Sequence, residues 1–283
     1  MNIYNTIIFY YSFNNISKFY FLYYHNLKGI YKYSIQISLY FLIHFHFVFN
    51  KDALIFKIYM EDRIIEFENI NKKLIIKQNL DIGYAGSVWD ASLVLIYFFK
   101  KQIELYNNNK KEKTIFFPKD KIILELGAAT GANGFTCGIL GAKKIYLTDK
   151  GGCCILLQKN YEINKNNFDE NFECIVQELD WTCEKQRSLI KDKENIDYIV
   201  GSDLVWNPKL REPLANTIKY YMKLNKKLKC FFSFEIRDDE VNNFFKLFDK
   251  NEYKIEKIKD ELFDDMYKSD EIIIVVLTNL NQE

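Results

Sequence analysis

The chain has 283 residues, of which 48% are hydrophobic, enough for the core of one large domain or two small ones. Its net charge is only +1, so the composition indicates no basic surface for nucleic acid. The six cysteines form no Cys-x-x-Cys pair and the three histidines precede residue 50, which supports neither a zinc site nor a disulfide framework and favours reduced thiols in a cytoplasmic or nuclear protein.

Residues 1–59 differ in composition from the rest of the chain, with five Lys, one Asp and many Tyr, Phe, Ile and Asn. Their longest apolar run, 35–49, contains His, Gln and Ser and is shorter than the ~20 residues that span a bilayer. No signal-peptide cleavage site follows it. We therefore expect no stable membrane insertion. We hypothesise that residues 1–59 are a disordered or targeting extension or lie outside the mature protein, and that residues 60–283 form the functional domain.

The segment from Met60 onward begins with a regular pattern. Residues 64–76 alternate between apolar and charged side chains, which predicts one or two edge strands, and the glycine-containing stretch 83–86 ends them. Ser87 and Asp90 have the spacing of a capping box ahead of the apolar run 93–99. The sequence therefore predicts a helix with Ser87 at its N-cap.

Strand and helix patterns then alternate to the end of the chain. Strands are predicted near 121–126, 144–149, 172–179, 196–202 and 228–236, and helices near 132–140, 152–164, 208–224 and 238–249. Strands near 253–258 and 271–278 close the domain, and the second of them is apolar throughout, which suits an antiparallel strand within a parallel sheet. This order predicts an α/β fold with a seven-stranded, mostly parallel, doubly wound sheet, one antiparallel strand and a ligand at the carboxyl ends of the strands.

A glycine-rich loop joins the first of these strands to its helix. Gly127 and Gly131 allow positive φ and close approach of a ligand, and the amides at the next helix N-terminus favour electron-rich groups. Asp149 ends the next strand, 22 residues after Gly127, where a carboxylate can accept both hydroxyls of an adenosine ribose. The loop therefore predicts a nucleotide-containing cofactor, with a plain glycine-rich turn as the alternative.

Ala129 helps to decide which cofactor is expected. It stands where the dinucleotide pattern has its second Gly, the residue that lets a pyrophosphate approach. This argues against a NAD-dependent oxidoreductase. The pattern Glu125-x-Gly127-x-x-x-Gly131 instead resembles motif I of the S-adenosylmethionine (SAM) methyltransferases.

Four motifs together extend this resemblance: residues 86–90 (GSVWD), 125–131, 179–181 (LDW) and 202–206 (SDLVW). They resemble the seven-β-strand protein-lysine methyltransferases of the methyltransferase-like 21 group, which includes the valosin-containing-protein lysine methyltransferase. The resemblance covers residues 60–283. It implies a Rossmann-like class I methyltransferase fold, SAM as cofactor and a protein substrate that receives the methyl group on a lysine amine.

The resemblance also implies a role for each matching cofactor residue. Trp89 would close over the methionine arm of SAM, Asp149 would bind the ribose, and Trp181 would lie beside the adenine with Asp180 near its amine. The full set of cofactor positions is Trp89, Gly127, Ala128, Ala129, Gly131, Asp149, Asp180, Trp181 and Ser202. Two structural alternatives stay open, namely Trp89 as a core residue at a helix start and Asp149 as a simple helix cap.

Asp203 and Trp206 match the family's Asp-x-x-Tyr motif, with Trp in place of Tyr. The resemblance implies that both are catalytic, since Asp203 would hold the amine in line with the methyl group and the Trp206 face would bind a cation. A Trp206 buried against the following helix is the alternative. Residues 234–237 (FEIR) resemble the family's aromatic-Glu-x-Arg, although a surface ion pair would have the same sequence.

Several functions fit these residues. The first is a protein-lysine methyltransferase with a chaperone, an ATPase or a translation factor as its substrate. The second is transfer to another acceptor, such as a histidine, an N-terminal amine or a small amine, and the third is a SAM-binding scaffold without turnover. We expect a monomer without a metal ion, because no heptad repeat or metal-ligand pattern is found in residues 60–283.

Overall fold

A computed structural model describes residues 62–237, 239–264 and 266–280, and four strands before them. The chain divides into two units, Met1–Glu61 and Asp62–Glu283. The first unit contains the strands β1 (Tyr10–Tyr11), β2 (Phe19–Tyr20), β3 (Ile43–Asn50) and β4 (Ala53–Met60). β1 pairs with β2 and β3 pairs with β4, and both pairs are antiparallel. Most of residues 1–59 lie outside the described residues, so the hypothesis about them stays a prediction.

The second unit opens with an antiparallel hairpin of β5 (Arg63–Phe67) and β6 (Lys72–Ile76). The alternation seen in the sequence places one apolar face of the hairpin inward, so that four side chains are buried: Ile65, Phe67, Leu74 and Ile76. The hairpin forms a separate two-stranded sheet. The predicted edge strands are therefore present.

Seven further strands form the central sheet. They are β7 (Ile122–Leu126), β8 (Lys144–Asp149), β9 (Glu173–Glu178), β10 (Tyr198–Ser202), β11 (Lys229–Glu235), β12 (Tyr253–Lys257) and β13 (Ile272–Asn279). Their order across the sheet is β12-β13-β11-β10-β7-β8-β9. β13 runs antiparallel to both neighbours, and the other inter-strand pairs are parallel. This confirms the predicted fold class.

Helices cover both faces of the sheet. They are α1 (Asp90–Asn107), α2 (Ala132–Ile139), α3 (Gly151–Asn164), α4 (Glu184–Arg187), α5 (Pro208–Leu224) and α6 (Glu240–Phe245). Successive residues of β11 point to opposite faces, so Phe231 joins the core that contains α1 to α3 and Phe232 joins the core that contains α5 and α6. The sheet is therefore covered on both sides, as in a doubly wound fold.

Two predicted helix boundaries are wrong. Helix α1 begins at Asp90 with Trp89 at the N-cap, so Ser87 is not the N-cap residue that the sequence predicted. The backbone at Ser87 is extended and Val88 N–H donates to the Gln78 side chain at 2.8 Å, which keeps this segment out of the helix. Helix α6 is also shorter than the predicted 238–249.

Two asparagines of α3 hold the hairpin against the domain. The Asn164 amide accepts from Ile75 N–H at 2.9 Å and donates to Ile75 C=O at 2.8 Å, and Asn160 makes the same pair of bonds to Lys77 at 2.9 and 3.1 Å. Four residues of helix rise about 6 Å and two residues of strand about 6.6 Å, so the spacings match. Asn160 also donates to Thr130 C=O at 2.9 Å, which connects the hairpin to the glycine-rich loop.

Within the described residues, no single helix is long and apolar enough to cross a membrane. The turns Leu80–Gly86 and helix α1, bent by 50° from each other, satisfy that criterion as a pair by length and composition only. The same part of the chain contains no group of three or more His, Cys, Asp or Glu residues placed to hold a metal ion.

Candidate active site

The predicted site residues lie along the carboxyl edge of the central sheet. The strand order runs from β7 through β8 to β9 on one side and from β7 to β10 and β11 on the other. The loops after β7 and β10 therefore leave the sheet toward opposite faces and open a crevice between them, which is where doubly wound sheets bind ligands. Gly127 follows β7 and Asp203 follows β10.

The glycine-rich loop turns sharply below this crevice. Gly127, Ala129 and Gly131 have φ of 59°, 52° and 83°. A Cβ at Gly127 would lie 2.8 Å from Leu204 Cδ2 and 3.2 Å from Trp181 Cζ2, so a side chain there would have to displace these neighbours in a backbone conformation that favours glycine. Ala129 adopts the left-handed conformation that glycine favours, at a cost in strain. The turn therefore forms although Ala129 stands where the dinucleotide pattern has its second glycine.

Asp149 fastens the loop to the end of β8. Its Oδ2 accepts from Ala129 N–H at 2.8 Å and its Oδ1 from Lys150 N–H at 2.7 Å. Helix α3 has Lys150 at its N-cap without a side-chain capping bond, so Asp149 is not its cap residue. Each carboxylate oxygen can accept a second bond, and the side chain is half-buried beside the loop. The alternative of a simple helix cap is therefore wrong.

Trp181 and Asp180 follow β9 on the same side of the crevice. The Trp181 ring lies against Gly127, and Arg187 donates to the Trp181 carbonyl at 2.8 Å, which holds this turn. Asp180 Oδ1 accepts from the amide and the hydroxyl of Thr182 at 2.9 and 2.7 Å, and the hydroxyl bond leads the effects that lower the Asp180 pKa. Asp180 Oδ1 therefore accepts hydrogen bonds within the turn that contains it.

Glu125, a buried acid beneath the loop, belongs to the motif I pattern but was not predicted as a site residue. Glu125 is 1% exposed; its Oε1 accepts from Asn133 Nδ2 at 3.1 Å and its Oε2 from Gly134 N–H at 2.9 Å. Burial raises the pKa of Glu125 to about 8, against the opposing effect of these two donors. The sequence signal was the acidic residue two positions before Gly127.

Asp203 lies at the corner that follows β10, with φ of 53°. Its N–H donates to Ser233 C=O at 2.8 Å, and its Oδ2 accepts from Arg237 Nη2 at 2.7 Å. The same Arg237 nitrogen donates to Glu235 Oε2 at 2.6 Å. The Asp203 side chain is 11% exposed and that of Arg237 40%. The aromatic-Glu-x-Arg motif therefore brings its Glu and Arg together with Asp203.

Three aromatic rings meet above the crevice. The Tyr84 ring centroid lies 5.2 Å from that of Trp206 and 6.1 Å from that of Trp89. Trp89 Nε1 donates to Tyr84 C=O at 2.8 Å. Trp206 is 48% exposed, so the alternative in which it is buried is wrong, and Trp89 is half-buried. The described structure thus brings two of the three predicted tryptophans, Trp89 and Trp206, to the ring of Tyr84, a residue that sequence reasoning missed.

Tyr84 belongs to a short loop, Leu80–Gly86, which we name the Tyr84 loop. Its two ends are joined by a bond from Asn79 N–H to Gly86 C=O at 2.8 Å. A Cβ at Gly86 would lie 1.7 Å from the Asn79 carbonyl oxygen, so glycine is required where the ends meet. Glycines at both 83 and 86 around an aromatic residue were the available sequence signal.

The seven-stranded order and the loops at its switch point define a Rossmann-like, doubly wound α/β fold. A sequence profile described as "Lysine methyltransferase" matches residues 68–251, which is more than half of the chain. The chain belongs to the lysine methyltransferase family.

Curated relatives agree with this assignment. The chain is 29% identical over 175 residues to protein-lysine methyltransferase METTL21E of Mus musculus, covering 60% of this chain and 65% of that protein. It is 28% identical over 223 residues to methyltransferase-like protein 23 of Dictyostelium discoideum (74% and 84%) and 27% identical over 162 residues to EEF1A lysine methyltransferase 3 of Xenopus tropicalis (57% and 63%). The chain therefore spans slightly less than two thirds of the METTL21E relative.

Solved structures resemble the chain more distantly. A putative SAM-dependent methyltransferase from Streptococcus mutans matches with a TM-score of 0.44 and 14% identity, over 78% of this chain and 56% of that one. A ribosomal protein L11 methylase from Lactobacillus delbrueckii subsp. bulgaricus matches with a TM-score of 0.41 and 16% identity, over 64% and 80%. The fold assignment rests on the strand order and not on these scores.

Proposed function

We propose that this chain transfers a methyl group from SAM to the side-chain amine of a lysine in a protein substrate. One observation carries the proposal: at a single switch point, a member of the lysine methyltransferase family has a tight glycine-rich loop on one side and an acid with an aromatic cluster on the other. The two sides supply a cofactor position and an amine position in the same crevice.

The residues on the loop side fit an adenosine cofactor. Asp149 has acceptor capacity for ribose hydroxyls, and the Trp181 face beside Gly127 offers an apolar surface for a base. Ala129 stands where a dinucleotide loop has the glycine that lets a pyrophosphate approach, which agrees with a cofactor that lacks one. When bound, SAM supplies a methyl group on a positively charged sulfur.

The residues on the Asp203 side of the crevice must lower the free-energy cost of deprotonating the lysine amine before transfer. A lysine with pKa near 10.4 is neutral about once in ~2,500 molecules at pH 7, which corresponds to roughly 4.6 kcal/mol. Desolvation against the exposed faces of the Tyr84–Trp206 pair would depress the amine pKa, and these faces would still attract the cation on entry. The chain needs no nucleophile of its own, since the cofactor carries the reactive group.

We propose that Asp203 orients the incoming amine. Its Oδ2 is held by Arg237, so Oδ1 is the atom assigned to accept a hydrogen bond from the amine nitrogen. Arg237 and Glu235 would fix the direction of the carboxylate. The left-handed backbone at Asp203 projects this side chain from a corner that Ser233 also holds.

The substrate is proposed to be a protein, and its identity stays open. One relative is named EEF1A lysine methyltransferase 3, which is consistent with our expectation of a translation factor, a chaperone or an ATPase. Another relative is named protein N-terminal and lysine N-methyltransferase EFM7, from Candida glabrata, with 29% identity over 180 residues. That name favours an N-terminal amine as the second candidate acceptor.

The test is to incubate the full chain with methyl-labelled SAM and lysate from the source cells, beside the Asp203→Asn variant. Asparagine tolerates the left-handed backbone at this position but has no carboxylate. We expect a discrete labelled protein whose acid hydrolysate contains methyl-lysine, and no such label with Asp203→Asn. Label on N-terminal residues, on histidine or on small molecules alone would reject lysine as the acceptor, and SAM binding without label would indicate a non-catalytic binder.

A further inference from the structure

One buried side chain joins the two sides of the crevice. Asn133, the second residue of α2, is 3% exposed and was not among the predicted site residues. Its Nδ2 donates to Glu125 Oε1 at 3.1 Å and to Ser202 Oγ at 3.2 Å, and its Oδ1 accepts from Ser92 Oγ at 3.1 Å. Each of the three partners lies on a different element, namely β7, β10 and α1.

The chemistry of the partners supports this amide orientation. The Asn133 amide nitrogen has two protons, which match the two acceptors Glu125 Oε1 and Ser202 Oγ, and the amide oxygen matches the Ser92 hydroxyl. A buried amide is costly when its bonds are not made, and here one side chain makes three. The bonds at 125, 133 and 202 therefore specify a single arrangement of the strands and the helix that carry them.

Each element in this network carries a proposed site residue. Gly127 lies two residues after Glu125, Asp203 directly follows Ser202, and Ser92 lies in the first turn of the helix whose N-cap is Trp89. We propose that Asn133 is a positioning residue, which sets the separation between the cofactor loop and the Asp203 corner without touching either substrate. This inference rests on the proposed function.

The test compares Asn133→Ala with wild type in the full chain. The SAM dissociation constant is measured by calorimetry, and the transfer rate at saturating SAM is measured with one lysate preparation as the acceptor and is expressed per SAM-binding site. We expect the rate to fall at least about 10-fold while the SAM dissociation constant changes less than about 3-fold, because a displacement near 1 Å is enough to slow transfer strongly. A purely structural role would lower the number of binding sites and leave the rate per site unchanged.

Thr136→Val is the matched control. Thr136 lies one turn further along α2, is fully buried, and its hydroxyl bonds only to Ala132 C=O in the same helix. We expect this variant to keep the wild-type rate per site. If Asn133→Ala does not fold, Ser92→Ala replaces it, since this change removes a single bond to Asn133 and should lower the rate per site in the same direction by a smaller factor.

The outcomes separate the two proposals. A wild-type chain that transfers no methyl group would refute the proposed function. An active wild type together with an unchanged rate per site in Asn133→Ala, or in Ser92→Ala where the first variant does not fold, would refute only the inference about Asn133. Equal losses of rate per site in Asn133→Ala and Thr136→Val would also refute it, since any buried polar change in α2 would then have the same effect.

Discussion

The two sides of the crevice are built differently. On the cofactor side, Glu125, Asp149 and the glycine-rich loop are tied by hydrogen bonds to buried or half-buried backbone. On the acceptor side, Tyr84 is 64% exposed and Trp206 48% exposed, and the charged groups pair with one another at the surface. A cofactor that is the same for every acceptor would suit a preformed site, whereas the exposed aromatic side would leave room for a protein surface to complete the site.

The largest expected effect concerns the buried acid on the cofactor side. Because the folded-state pKa of Glu125 is about 8 against an ordinary 4.5, the folded chain keeps a proton that the unfolded chain releases between these values. Its contribution to stability therefore falls as pH rises from about 4.5 to 8, with a slope of at most about 1.4 kcal/mol per pH unit.

Chemical denaturation of wild type and Glu125→Gln across this range measures that contribution as a difference. The neutral glutamine does not titrate, so the variant should gain stability relative to wild type as pH rises. A difference that stays constant from pH 4.5 to 8 would show that burial of Glu125 has no such cost.

The next effect concerns the link between the hairpin and the cofactor loop. Asn160→Ala removes bonds to Lys77 and Thr130 and leaves their backbone groups without these partners. We expect a loss of about 2–3 kcal/mol in the free energy of unfolding, measured by denaturant titration. Asn167→Ala is the control, because its amide makes one exposed bond to Lys73 C=O, and its expected loss is below about 0.5 kcal/mol.

A smaller effect is expected on the acceptor side. Tyr84→Ala removes one wall of the aromatic cluster and should lower kcat/KM for the protein acceptor roughly 10-fold, with the SAM dissociation constant nearly unchanged. Tyr84→Phe should stay near wild type, since the ring makes the contact with Trp206. Leu189→Ala, a change at another exposed apolar residue, is the control. Loss of SAM affinity in Tyr84→Ala would move this residue to the cofactor side.

The smallest effect tests the strain in the glycine-rich loop. Ala129→Gly places glycine at φ of 52°, where alanine is strained, and should raise the free energy of unfolding by up to about 1 kcal/mol. SAM affinity should not fall, because the turn is already formed. A destabilised variant would mean that the Ala129 methyl group makes favourable contacts that exceed the strain.

Much of the fold followed from the sequence because its signals are local. The alternation of strands and helices predicted the seven-stranded sheet, and the apolar run of β13 predicted its antiparallel direction. The start of α1 did not follow, since Gln78 binds the Val88 amide and this long-range bond competes with the capping signal of Ser87. A pattern of neighbouring residues contains no information about that competitor.

Part of the candidate site also followed from local sequence signals. Gly127 and Asp203 each follow a strand and Asp149 ends one, so strand prediction alone placed them at one edge of the sheet. Tyr84 and Asn133 were missed because their roles depend on contacts across the crevice, with Trp206 in one case and Ser202 in the other. Such contacts are fixed by packing of separate elements and not by spacing along the chain.

We propose that cofactor binding and methyl transfer depend on opposite sides of one crevice. The most direct test measures the SAM dissociation constant and the transfer rate at saturating SAM for Asp149→Ala and Asp203→Asn in the full chain. We predict at least about 100-fold weaker SAM binding for Asp149→Ala. For Asp203→Asn we predict SAM affinity within about 3-fold of wild type and a transfer rate at least about 100-fold lower. Loss of SAM affinity in both variants would contradict the division.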